Sequence, residues 1–149
     1  MYSIKEIKEN KKKYIELLLL ADESEDMINR YLDTGTMYVI ENNGEILGEC
    51  VVTDAGEGVL EIKNLAIAEK HQKKGYARVL VDFIAEEYKG RYSFLQVGTG
   101  DSPLTVPFYE KCGFVRSHVL PRFFLDNYDH PIYECGILLV DMVYLKRKI

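Results

Sequence analysis

Hydrophobic and polar residues along this chain change period several times, and each change marks an element. Residues 2–7 read as a short strand, followed by helices over residues 9–21 and 23–32, the second closed by Gly35. Residues 37–41 and 46–53 read as two strands. Between them Asn42-Asn43-Gly44 supplies residues that tolerate positive φ, which predicts a hairpin. A second turn over residues 54–58 leads into Val59–Ile67, the fourth strand from the N-terminus, so the meander is antiparallel.

Beyond Ile67 the period lengthens to that of a helix, and Ala77, Leu80, Val81, Ile84, Ala85 and Tyr88 define one apolar stripe. Lys89-Gly90 ends this helix, and residues 92–97 form the next strand, which a crossover of this kind lays parallel to its predecessor. Ser102-Pro103 suits a helix start running toward Lys111 and stopping at Cys112-Gly113, with Pro107 delaying or kinking it. Residues 114–120 and 137–145 are the last two strands, joined by an aromatic and acidic connection over residues 122–135. No linker or repeat divides the chain, so a single domain over residues 1–149 is expected, of α+β class.

Composition changes this picture little. A net charge of −5 disfavours nucleic acid as the main partner, because phosphate binding needs a basic surface. Cys50, Cys112 and Cys135 are odd in number and widely spaced, which predicts reduced thiols in the cytoplasm rather than a disulfide framework. Cys112, beside a helix-ending glycine, reads as a buried structural thiol. His71, His118 and His130 are too scattered for a metal pair, so no metal is predicted. The basic start and the apolar run after Tyr14 resemble a secretory signal, but Glu16 interrupts the run and acidic residues follow, so an amphipathic helix is expected. No stretch reaches the roughly 20 apolar residues that span a bilayer, and no membrane partner is expected.

The most informative segment covers residues 61–77, where a strand ends, the chain turns, and a helix begins near Gly75. Such a turn gathers unpaired backbone N–H groups and the positive end of a helix at one point, which suits a pyrophosphate. Lys73 and Lys74 add charge, and Gly75 lets the backbone come close. The same residues also suit a solvated helix cap, and neither a Walker loop nor a dinucleotide fingerprint is present.

Gln72-Lys73-Lys74-Gly75-Tyr76-Ala77 matches the Gln/Arg-x-x-Gly-x-Gly/Ala signature of the GNAT superfamily of N-acetyltransferases. Phe108-Tyr109-Glu110-Lys111-Cys112-Gly113-Phe114 resembles that family's Tyr-Glu-Lys-x-Gly-Phe element. The resemblance implies a mixed, mostly antiparallel sheet of about six to seven strands with flanking helices and a splayed central strand pair. Gly98 and Gly100 are consistent with such a disrupted strand end, the alternative being ordinary turns. The resemblance also implies transfer of an acetyl group from acetyl-CoA to a primary amine of a small molecule or protein, by direct attack in a ternary complex.

By position, the resemblance assigns Leu65, Ala66 and Ile67 to the pantetheine arm, and Gln72, Lys73, Lys74, Gly75, Tyr76, Ala77 and Arg78 to the pyrophosphate. An N–H near Leu65 would polarise the thioester carbonyl. Ser102 stands where many members have Asn and Thr105 where Ala is usual, both small enough to line a pantetheine channel. Tyr109 matches the tyrosine that gives a proton to the leaving thiolate, the alternative being passive packing of its ring. Glu61 occupies the strand position of a general base that removes the amine proton, the alternative being a surface carboxylate paired with Lys63. Glu49 or a water chain would substitute.

Asp126, Asp129 and Glu134, beside Tyr128 and Tyr133, either flank an acceptor cleft or lie in a solvated loop or dimer contact. Two alternatives remain: a non-catalytic acyl-CoA sensor or partner-binding module with the same fold, or an enzyme using a longer acyl donor. A monomer or homodimer is expected, residues 140–144 being available for pairing.

Overall fold

The computed structural model describes all residues, 1–149. In chain order the elements are β1 (Tyr2–Ile7), α1 (Ile15–Ala21), α2 (Glu25–Asn29), β2 (Thr36–Asn42), β3 (Glu45–Gly56), β4 (Val59–Ile67), α3 (Tyr76–Glu87) and β5 (Phe94–Gly100). There follow α4 (Val106–Lys111), β6 (Val115–Leu120), α5 (Phe123–Asn127), the short β7 (Tyr133–Glu134) and β8 (Ile137–Leu138), and β9 (Met142–Lys148). Seven strands form one sheet in the order β1-β2-β3-β4-β5-β9-β6, and β7 pairs with β8 apart from it.

Strands β1 to β4 are antiparallel neighbours. Asn43 (φ 52°) and Gly44 (φ 82°) turn the β2–β3 hairpin, and Glu57 (φ 56°) with Gly58 (φ 77°) repeats the device before β4. The α3 crossover sets β5 parallel to β4, and β9 enters antiparallel between β5 and β6. Apolar side chains cover both sheet faces. Leu80, Val81, Ile84 and Ala85 of α3 pack on one face with Ile62, Leu95 and Leu145, while Leu18, Ile28 and Leu32 pack on the other with Met37, Val39 and Val51.

Four expectations shift. The helix expected from residue 9 starts at Ile15, after Asn10 adopts a left-handed φ of 56° and residues Lys11–Tyr14 form a 3-10 turn. The Lys11 ammonium holds that turn to the carbonyls of Leu32 (2.9 Å) and Gly35 (2.6 Å). The second helix is shorter than its apolar pattern: Ser24 Oγ accepts the Met27 N–H (3.2 Å) and fixes its start, and at its end the Arg30 and Tyr31 amides turn to the carbonyls three residues back, Met27 and Ile28 (both 3.1 Å). α4 begins at Val106 rather than at Ser102, with Pro107 in the first turn, where its missing N–H costs nothing. The strand expected over residues 137–145 divides in two. The Phe124 amide bonds the Val140 carbonyl (3.0 Å) and the Arg122 amide bonds Asp141 Oδ1 (2.9 Å), so the chain between β8 and β9 is committed to the segment around α5, itself not foreseen as a helix.

Candidate active site

The β4–β5 ladder runs from Val59↔Phe94 only to Ile62↔Val97. Beyond it β4 stays paired with β3 through Ile67, and β5 stays paired with β9 through Gly100, so the two strands part. A bulge causes the parting: Val51 faces Asn64 and Val52 faces Ile62, leaving Lys63 as the extra residue and bending β4 away. Gly98 and Gly100 remain in the β5–β9 ladder rather than in a frayed end. A Cβ at Gly98 would meet Met142 Sδ at 2.5 Å, and one at Gly100 would meet Leu139 at 2.7 Å, so cross-strand packing accounts for both glycines.

A cavity of about 550 Å³ fills the opening, walled by residues 62–65 of β4, 97–100 of β5 and Tyr109 of α4. Leu65 is on this wall, and Ala66 and Ile67 continue β4 as buried residues. The edge of β4 after Ile62 has no strand beside it, so it offers backbone groups to an extended ligand arm.

At the end of β4 the Gln72 side-chain amide donates to the Ile67 carbonyl (2.9 Å) and ties the following loop to the strand. Lys73 (φ 66°) and Gly75 (φ 89°) are both left-handed, which curls the backbone into the start of α3. A Cβ at Gly75 would meet nothing within 4 Å, so the space above it is open. The N–H groups of Tyr76, Ala77 and Arg78 open the helix, and Lys73 and Lys74 stand exposed beside them without an ion pair.

Tyr109 is buried edge-on between Phe108 and Phe114, and its hydroxyl makes no hydrogen bond within the protein. Burial pushes its phenol well above the ordinary tyrosine range, so it is fully protonated. Ser102 Oγ accepts from the Leu104 amide (3.2 Å) and donates to Glu134 Oε2 (2.6 Å), which brings β7 against the loop before α4. Thr105 Oγ1 donates to the Gly100 carbonyl (3.0 Å).

Glu61 is not on the cavity wall. Its carboxylate accepts from Gln96 Nε2 (2.7 Å) and pairs with Lys63 Nζ (3.1 Å), and Lys63 is the member of this group that reaches the cavity. Glu49 is sealed within the protein with neither oxygen hydrogen-bonded, and burial holds its carboxyl well above the usual carboxylate range. Asn64, on the wall, donates to the Leu18 carbonyl and the Tyr31 hydroxyl (both 3.0 Å).

Of the residues expected near an acceptor, Tyr128, Tyr133 and Glu134 line the cavity. Asp126 pairs instead with Arg122 (3.5 Å), and Asp129 pairs with His130. The sequence reading missed the other bank of this end, the last residues of α1 (Leu19, Leu20 and Ala21) and the turn into α2 with Asp22 and Glu23. Asp22 Oδ1 accepts the Tyr128 hydroxyl (2.8 Å) and the Ser24 amide (3.2 Å). Burial raises the Asp22 carboxyl above its ordinary value, against the lowering effect of those two bonds. An unusually long acidic run after the first helix, residues 22–26, was the one local signal available.

Residues 33–116 match the acetyltransferase (GNAT) domain. The chain belongs to the GNAT acetyltransferase family. Within that family it is 39% identical, over 87% of its length and 85% of the relative's, to the uncharacterized N-acetyltransferase YvbK of Bacillus subtilis (strain 168). The structure superimposes on a GNAT acetyltransferase from Elizabethkingia anophelis with acetyl-CoA bound, with a TM-score of 0.94 and 35% identity, covering 99% of this chain and 98% of that one. It matches the IAA acetyltransferase from Bacillus cereus ATCC 14579 with a TM-score of 0.91 and 36% identity over the whole of both chains. The seven-stranded mixed sheet with flanking helices and parted β4 and β5 is the GNAT fold.

Proposed function

We propose that this chain transfers the acetyl group of acetyl-CoA to a primary amine by direct attack in a ternary complex, residues 1–149 working as one N-acetyltransferase domain. The observation that carries this reading is the parting of β4 from β5 beyond Ile62 and Val97, with Tyr109 on the wall of the resulting cavity. In this reading the pantetheine arm pairs with the open edge of β4 at Leu65, Ala66 and Ile67. The pyrophosphate sits on the amides of residues 73–78, in the loop that Gln72 holds, with Ser102 beside the channel. The acetyl-CoA bound to the Elizabethkingia relative supports the donor.

Tyr109 is the acid. Burial disfavours a bare phenolate as it does a bare thiolate, so in this reading the proton passes from oxygen to sulfur as the C–S bond breaks and the phenol is restored by a proton from the attacking nitrogen. Glu61 takes no proton in this reading, since Gln96 and Lys63 occupy its carboxylate. The enzyme acts in the cytoplasm, where reduced thiols such as Cys50, Cys112 and Cys135 persist, as a monomer or homodimer.

Replacing Tyr109 by Phe separates an enzyme from a non-catalytic acyl-CoA sensor. Turnover should fall by about 10²- to 10⁴-fold while calorimetric binding of acetyl-CoA persists. Unchanged turnover in a folded Tyr109→Phe protein would remove the acid assignment.

A further inference from the structure

The cavity end between the α1–α2 turn and α5 has a distinct chemistry. Leu20, Phe124, Ile132 and Leu139 give it apolar walls, and its charged groups are Asp22, Glu23 and Glu134. The single cation on the cavity wall is Lys63, whose ammonium lies 3.1 Å from Glu61. That cation is already engaged by Glu61, and the other charged groups at this end are carboxylates, so the balance favours an ammonium over a carboxylate or phosphate on the acceptor, and the apolar walls suit a hydrocarbon body.

The acids around the cavity are not equivalent. Glu61 is off the wall and doubly engaged, Glu49 is sealed, and Glu23 pairs with His130. Glu134 is tied to Ser102 beside the pantetheine channel. Asp22 has both of its hydrogen bonds on Oδ1, which leaves Oδ2 unengaged in a half-buried carboxylate on the wall. Tyr128 and the Ser24 amide fix its orientation, as a proton acceptor requires.

We propose that Asp22 is the proton acceptor of the reaction, and that the acceptor is a primary alkylamine without a carboxylate whose apolar body lies on Leu20, Phe124 and Leu139. This rests on the acetyl-CoA reading above. Asp22 Oδ2 takes one proton from the alkylammonium. The freed nitrogen lone pair forms the N–C bond to the thioester carbonyl carbon, and the C–S bond breaks with its electron pair going to sulfur. Tyr109 gives its proton to sulfur and is reset by a second proton from the nitrogen. The products are an N-alkylacetamide and the CoA thiol, and Asp22 releases one proton to water.

The groups facing Asp22 are Glu23 beside it, Lys63 from β4, Tyr128 from the end of α5 and Tyr31 after α2. The Tyr128 hydrogen bond favours the carboxylate, so its removal raises the pH at which Asp22 ionises.

The test uses the full-length protein, acetyl-CoA and 2-phenylethylamine, with CoA thiol release followed from acidic to alkaline pH. Wild type should show an acid limb in kcat, and carboxyl ¹³C NMR without substrate should assign an ionisation of the free protein to Asp22. Asp22→Asn should lose the limb and about 10²- to 10⁴-fold in kcat while binding acetyl-CoA as wild type does. Asp22→Glu should recover part of the rate, and Tyr128→Phe should move the limb to higher pH. Phenylalanine, which adds a carboxylate to the same skeleton, should be a far poorer acceptor.

Persistence of the limb in Asp22→Asn, or its loss in Glu134→Gln or Glu61→Gln instead, would overturn the assignment. So would acetyl-CoA binding without turnover of 2-phenylethylamine, or equal turnover of phenylalanine. Failure of the folded wild type to bind acetyl-CoA would overturn the underlying reading as well, and calorimetry distinguishes the two failures.

Discussion

Glu49 lies on β3 opposite Val39 and Ala66, fully enclosed, with no hydrogen bond of good geometry to either carboxylate oxygen and the Ala66 amide as the one nearby donor. Burial raises its carboxyl far above the unfolded value, only the Ala66 amide opposing. The folded state thus holds a proton that the unfolded chain releases at lower pH. Stability is fully present below the unfolded pKa and falls as pH rises toward the folded one, by up to about 1.4 kcal/mol per pH unit. Glu49→Gln, of the same shape and without the charge, should flatten that fall, so its melting temperature should exceed that of wild type increasingly from mildly acidic to alkaline pH. Thermal denaturation at a series of pH values checks this, and parallel curves would contradict it. Glu49 and Glu61 were indistinguishable in sequence, because strand alternation does not say which face a helix seals or where a bulge such as Lys63 interrupts the count.

The elements that matter most to the site are set by short-range signals. The Asn43-Gly44 turn, the stripe on α3 and the Gln72–Ala77 loop were legible because their determinants lie within a few residues of one another. The late start of α4 was legible in Pro107, but the division of residues 137–145 was not, since contacts with the segment around α5 decide it. Asp22 escaped for the same reason, its partner Tyr128 lying 106 residues away. α2, with five residues, depends on its cap more than a long helix would. Ser24→Ala should therefore cost about 1 kcal/mol in chemical denaturation. A loss in acceptor turnover beyond the loss of stability should accompany it, because the Ser24 amide also holds Asp22. No change in either quantity would show that the turn is held by other contacts.

Across the whole molecule, the α1–α2 turn and the chain after α5 meet over the cavity. Tyr128 bonds Asp22, Arg30 donates to Asn127 (3.2 Å), and His130 joins Asp129 to Glu23. Hydrogen bonds and charge from Asp129 and Glu23 raise the His130 pKa above its ordinary value. The contribution of that contact is complete below the unfolded histidine pKa and is lost as pH rises through the raised folded value. Backbone order parameters of residues 128–134 should accordingly fall on going to alkaline pH in wild type, and should be low and independent of pH in His130→Ala. Equal order in the two proteins at mildly acidic pH would leave His130 without a role in closing this end.

In the proposed mechanism acetyl-CoA lies along the open edge of β4 with its pyrophosphate at the loop into α3. Calorimetric titration of the purified protein with acetyl-CoA tests it most directly, with a folded Lys74→Glu, Gly75→Asp variant beside it. That variant places two negative charges where the phosphates should sit and fills the open space above Gly75. Micromolar binding by wild type that is lost in the variant is the expected result; no binding by the folded wild type, or equal binding by both, would contradict the account.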